Sequence, residues 1–357
     1  VSPDPKGARV AGAVTALRAF MDDNLAASKI ELEAKLIEVH HGHPPFEPAH
    51  LHDARNVLRD RGELTIELKE TRGGSQPPIL VTTDRARRSR RVDDAAARKR
   101  LLMSRYYSYV QGNQQNTASL TGDAGEVAFH EAFLRASVGS SLAEVTRGIP
   151  AVPRIMGMQV DLDNAFVLNP LDSETRAPIP PFGVQALVEV KNIREWIYPR
   201  TQELYQVLHK AAQLQCAFPD NSFLPVLVCR RTQITTVFMA KSLGFYVIDA
   251  RQHYFPEHSH IDPANLQELV SELALTDITQ GNGAEQTRHT QNRLVTLQRH
   301  FDVLEAIEKW KRHAQNHAFR ELLKTLNNDR ITNVHRDASL NQLRRVMQQD
   351  FGAKGGW

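Results

Sequence analysis

The sequence predicts an α/β chain of more than one domain, and three observations carry that prediction. Residues 186–191 form a continuous apolar run that reads as a buried strand, broken only by Glu189 and Lys191. Residues 160–168 form a second strand-like run, and helical and strand-like periodicities alternate from Leu120 to Ile248. At 357 residues the chain is long enough for two or three domains, each with its own core.

Residues 10–84 look like a small helical unit closed by a hairpin. Ala13, Leu17, Phe20 and Met21 recur at helical spacing, as do Ile30, Leu32, Leu36 and Ile37 after Ser28, a suitable N-cap. A third helix is expected from Pro48 to about Gly62, carrying Leu51, Ala54, Val57 and Leu58. Two strand-like runs, 64–68 and 79–82, flank the turn-rich residues 73–78. His40, His41, His43, His50 and His52 crowd this region without a compact ligand spacing, and they are expected to be solvated rather than metal-bound.

Residues 85–118 shift in composition. Arg85, Arg87, Arg88, Arg90, Arg91, Arg98, Lys99, Arg100 and Arg105 outnumber the acids, which predicts a basic linker, either a solvated stretch or helix face or one tracking phosphates. Tyr106, Tyr107 and Tyr109 suit the start of a core or a stacking surface equally. Residues 119–262 carry the α/β alternation. A first helix capped by Thr121 or Asp123 bears Glu126 after Gly125, which allows close backbone approach. A helix follows from about Gln202, then strands near 224–229 and 245–248 with a helix between them. Residues 263–357 are expected to be helical, with a disordered glycine-rich end.

Glu189 and Lys191 stand two residues apart, so a strand projects both from one face, and burying them is costly unless they pair or bind something. The upstream run supplies Asp161 and Asp163, again on one face by spacing. Several carboxylates with one lysine form the inventory that a hard divalent cation takes. Asp163 is the preferred ligand because the uninterrupted apolar strand begins directly after Asn164; spacing alone leaves Asp161 open.

The order of elements over 119–255, with Asp163 and Glu189-Val190-Lys191, resembles the PD-(D/E)XK or restriction-endonuclease-like nuclease superfamily. Residues 1–84 resemble a winged helix-turn-helix. The first resemblance implies a mixed-sheet core with Asp163 and Glu189 as metal-binding carboxylates, the Val190 carbonyl as a further ligand and Lys191 as the catalytic lysine. Glu126 matches the carboxylate that many members carry on the first helix, and Mg²⁺ or Mn²⁺ is the implied cofactor. The sequence departs from the family pattern in having no proline before Asp163. The second resemblance implies that Arg55, Asn56 and Arg59 on the third helix and Arg72 on the wing meet DNA, although such modules also serve as plain protein contacts.

The expectation is a metal-dependent DNA endonuclease, in restriction or another defence system, acting on double-stranded DNA; self-association to a homodimer would let single active sites cut two strands. The alternatives are a non-cleaving DNA-binding or scaffolding protein and, third, an RNA-processing nuclease. A net charge of +3 gives no general argument for nucleic acid, so the case rests on where charge lies. No apolar run approaches the roughly 20 residues of a membrane span. Arg18, Asp22 and Asp23 break the first apolar stretch, against a signal peptide. Cys216 and Cys229 form no paired motif, which suits a reducing, cytoplasmic setting.

Overall fold

In the computed structural model the described residues are 5–39, 45–71, 74–83, 90–111, 120–172, 174–257, 261–299, 301–352 and 357. The chain divides into two compact units, Val1–Thr117 with His258–Ile278, and Ala118–Glu257 with Thr279–Trp357.

Unit 1 opens with α1 (Pro5–Asn24), β1 (Ala26–Ala27) and α2 (Lys29–Glu33), which continues through a wider π-helical turn, Ala34–Glu38. Then come α3 (Pro48–Asp60), β2 (Leu64–Glu67), the short pair β3 (Glu70–Thr71) and β4 (Gly74–Ser75), and β5 (Ile79–Thr82). Ser28 caps α2, its hydroxyl accepting from the Glu31 amide. The expected hairpin forms, with β2 antiparallel to β5, and β1 adds on the other side of β5. That third strand is two alanines long, too short to leave a periodicity in the sequence.

One expectation about unit 1 needs correction. His50 is buried rather than solvated, and its Nδ1 accepts from the Glu47 amide at 3.1 Å, closing the first turn of α3. His52 is exposed, while His40, His41 and His43 lie outside the described residues. From Arg90 the basic stretch is a 22-residue helix, α4 (Arg90–Gln111). Its cations are largely engaged: Lys99 meets the fully buried Glu31 at 2.7 Å, Arg100 meets Glu67 at 2.6 Å, and Arg98 and Arg105 both hold Glu268. Arg85, Arg87 and Arg88 lie outside the described residues. Tyr106 and Tyr109 are buried, so they serve the core. Glu268 belongs to α8 (Pro263–Leu273), which the sequence assigned to the C-terminal region.

Unit 2 begins with α5 (Leu120–Ala136), already helical before the expected caps Thr121 and Asp123. Four strands follow, β6 (Ser140–Ser141), β7 (Glu144–Thr146), β8 (Ile149–Ile155) and β9 (Met158–Leu162), then β10 (Asn164–Leu168) and β11 (Val184–Lys191). The run 160–168 is thus two strands broken at Asp163. Next are α6 (Gln202–Ala217), β12 (Phe223–Cys229), α7 (Ile234–Leu243), β13 (Tyr246–Asp249) and β14 (His253–Phe255). The main sheet has the order β13-β12-β11-β10-β6, with β11, β12 and β13 parallel and β10 and β6 antiparallel to their neighbours, a mixed sheet as expected. A separate sheet, β7-β8-β9, packs beside it.

After the short β15 (Ile278–Gln280) come α9 (Arg288–Arg299), α10 (Phe301–Ala314), α11 (His317–Leu326) and α12 (Asn333–Phe351). Alternate residues of β11 face opposite layers: Leu187 joins the layer of α6 with Trp310, Phe319 and Leu343, and Val188 joins that of α5 with Phe133 and Leu294. The C-terminal stripes are therefore core of unit 2, because the parallel strands are apolar on both faces and need covering twice. The glycine-rich residues 353–356 lie outside the described residues. No described helix is long and apolar enough to cross a membrane.

Candidate active site

The carboxyl end of β11 gathers the charged residues. Leu187, Glu189 and Lys191 share the face turned to α6, so the alternation that buries Leu187 also brings Glu189 under that helix. Glu189 is only 4% exposed. Burial of a lone carboxylate there is prohibitive, and two ammonium groups offset it: Lys191 Nζ donates to Oε1 at 2.9 Å, and Lys210 Nζ donates to Oε2 at 3.0 Å.

Lys210 was missed in the sequence. It stands three residues after Val207, at the margin of the apolar stripe of α6 and so turned toward the sheet, which is the signal that could have found it. Its Nζ also donates to the Asp161 carbonyl at 2.6 Å, tying α6 to the end of β9.

Asp163 occupies the break between β9 and β10, where the chain turns into the register that sets Asn164 opposite Val188. One of its carboxylate oxygens, Oδ2, accepts from the Val190 amide at 2.6 Å. Burial, then the neighbouring Glu189 charge, pushes the Asp163 carboxyl up to about 6, with Lys191 and the Val190 amide pulling the other way. Asp161 is placed differently from what its spacing predicts: its φ of +48° breaks the strand alternation, and its exposed side chain accepts from Gln159 Nε2 at 3.0 Å.

Glu126 approaches from α5. Burial pushes its carboxyl up to about 8, the Asp163 and Asp123 charges add to that, and Lys191 opposes it. The helix comes this close because residue 125 is glycine: a Cβ there would lie 2.5 Å from that of Asn192. Asn192 is the bolt of the site, its amide donating to the carbonyls of Thr121 at 2.5 Å and Tyr254 at 2.7 Å while its oxygen accepts from the Tyr254 amide at 3.0 Å. On the same helix His130 pairs with the fully buried Asn164, fixing the start of β10.

Glu126, Asp163, Glu189 and Lys191 are therefore brought together. Among the described residues no group of three or more His, Cys, Asp and Glu side chains is gathered as a metal-ligand cluster. The donor set that the resemblance implies for a divalent cation is two carboxylates, Asp163 and Glu189, with the Val190 carbonyl. Those residues fit such an ion: the donors are hard oxygens, and Asp163 and Glu189 repel each other in a buried place where added positive charge is favourable. Of the predicted DNA contacts, Arg59 is exposed on α3 and Asn56 half-buried, while Arg72 lies outside the described residues. Arg55 is half-buried, and burial lowers its pKa against the pull of Glu33.

The raised carboxyls make a pH prediction. Between the ordinary carboxylate range and about 8 the folded chain holds the Glu126 proton and the unfolded chain does not, so stability falls as pH rises through that window. Glu126→Gln is expected to be more stable than the parent at pH 8 by on the order of 1–2 kcal/mol, the shift being discounted for partial hydration, and equal to it near pH 4. Urea midpoints of the metal-free proteins check this, and a variant less stable at pH 8 refutes it.

No family model matches this sequence, and neither curated proteins nor solved structures yield a match.

Proposed function

We propose that this protein is a metal-dependent DNA endonuclease that hydrolyses phosphodiester bonds, with unit 1 reading DNA and unit 2 cutting it. The observation that carries the reading is the meeting of Asp163, Glu189 and Lys191 at the carboxyl end of β11, with Glu126 close enough to feel their charge. Asp163, Glu189 and the Val190 carbonyl would hold the cation. Bound there, a divalent cation polarises the phosphodiester and makes water a better nucleophile at neutral pH. Lys191 lies on the same face and would orient the attacking water or stabilise charge developing on the phosphate. Lys210 holds Glu189 and the Asp161 main chain in register. The Val190 amide fixes the orientation of Asp163.

For unit 1 the support is topological. Helix, strand, helix, helix, strand, hairpin tip and strand, with sheet order β1-β5-β2, is the order of a winged helix-turn-helix. It would place Arg59 and Asn56 of α3 toward base edges. A second reading, a protein that binds DNA without cutting, is favoured by one observation: both oxygens of Glu189 are already engaged by lysines.

Plasmid DNA incubated with the full chain separates the readings. Nicked and linear products are expected with Mg²⁺ and none with EDTA, and plasmid left intact with Mg²⁺ whatever its methylation would select the non-cleaving reading. Changing Arg55 and Arg59 together to alanine should leave cutting and remove site preference, since base contacts specify and backbone contacts position. Unchanged preference would assign α3 to protein contact instead.

A further inference from the structure

Arg98, Arg100 and Arg105 of α4 are engaged by acids and so are drawn away from phosphate contact. A different basic surface lies in unit 2, at the carboxyl ends of the three parallel strands, where ligands of open α/β sheets bind. The loops leaving β11, β12 and β13 carry Arg194 and Arg200, Arg230 and Arg231, and Arg251, against one acid, Glu195, with Asp249 at the end of β13.

These loops are joined into one crest. The Ile197 amide donates to the Arg231 carbonyl at 2.9 Å and the Gln233 amide to the Ile197 carbonyl at 3.0 Å. The fully buried Arg230 side chain donates to the Arg194 carbonyl at 2.5 Å, and the Arg251 amide to the Arg230 carbonyl at 3.0 Å. Below, the Tyr205 hydroxyl donates to the Pro199 carbonyl at 2.5 Å. Above this framework Arg200 and Arg251 are exposed, and the half-buried Arg231 lies over the Trp196 ring at 5.8 Å. Asp249, beneath, has its carboxyl pushed up by burial while Arg231 and Arg251 draw it down. The crest begins three residues after Lys191, so a strand lying on it leads to the candidate site.

We propose that this crest holds the sugar-phosphate backbone of DNA, with Arg200, Arg231 and Arg251 as phosphate contacts, and thereby sets the substrate against Glu189 and Lys191. The proposal rests on the nuclease reading for its substrate, and its test does not require cutting. Rigid loops matter because a preformed array of cations is ordered before DNA arrives, which lowers the entropy cost of binding. Arginine suits the task because its planar fork pairs with phosphate oxygens and stays charged.

The test measures binding of the full chain to a fluorescent duplex in EDTA across 50–200 mM salt. Each lost phosphate contact should reduce the slope of log K against log salt by about 0.9. Arg200→Ser with Arg251→Ser is expected to reduce it by about two and to weaken binding tenfold or more at the higher salt. The lysine pair at the same positions should restore the slope. The exposed pair Lys324→Ser with Arg345→Ser, with the same change in net charge, should leave it alone. An unchanged slope in the serine pair, or an equal fall in the Lys324 and Arg345 control, overturns the proposal. Binding with this dependence but no Mg²⁺-driven cutting would keep the crest and remove the nuclease; cutting with an unchanged slope would do the reverse.

Discussion

Lys191→Ala is expected to lose cleavage by about a thousandfold while its DNA affinity in EDTA changes by less than about threefold. The separation follows from where the lysine lies: its ammonium sits 2.9 Å from Glu189 at the sheet end, where a reacting phosphate would be, and on the proposed reading it would be one of several cations toward DNA. Removing one preorganised charge that acts on the transition state typically costs 10²- to 10³-fold in rate. Asp163→Ala and Glu189→Ala should fall as far and lose their response to Mg²⁺ titration. Asp161→Ala should stay within about tenfold of the parent, since that carboxylate is exposed and meets Gln159, while its carbonyl, which Lys210 uses, survives the change. Single-turnover plasmid cleavage measures all four. Parental activity in Lys191→Ala would remove β11 from the chemistry.

Gly125→Ala is the second large effect, and it acts through packing. The new methyl would meet Asn192 Cβ at 2.5 Å, far inside van der Waals contact, and Asn192 cannot yield without giving up its bonds to the Thr121 and Tyr254 carbonyls and the Tyr254 amide. Overpacking of that kind costs about 1–3 kcal/mol, and any lost hydrogen bond to a buried group adds about 1–3 kcal/mol more. A large fall in the urea midpoint is therefore expected, with loss of activity because α5 withdraws Glu126. A midpoint equal to the parent's would show that the helix has room to move and that Asn192 is no bolt.

Much of this was legible in the sequence because it depends on local periodicity. The strand around Glu189 and Lys191, the helix beginning near Gln202 and the hairpin of 64–67 with 79–82 follow from alternation and turn chemistry. The approach of α5 to the sheet was foreshadowed by Gly125. What escaped depends on long-range pairing or on backbone conformation. Strand spacing placed Asp161 with Asp163, and one residue in the left-handed region undid it. The arginines of α4 looked free because their partners Glu67 and Glu268 are distant in the chain. Lys210 is similarly placed by tertiary packing, and only its position beside an apolar stripe hints at it.

The return of residues 258–278 to the first unit has a consequence for synthesis on the ribosome. When the first 117 residues of the N-terminal unit emerge they lack α8, and Arg98 and Arg105 have no Glu268 until the sheet of the second unit has also been made. Emergence in order favours folding domain by domain. Here the first unit is completed by a segment made after all five strands of the second unit's main sheet.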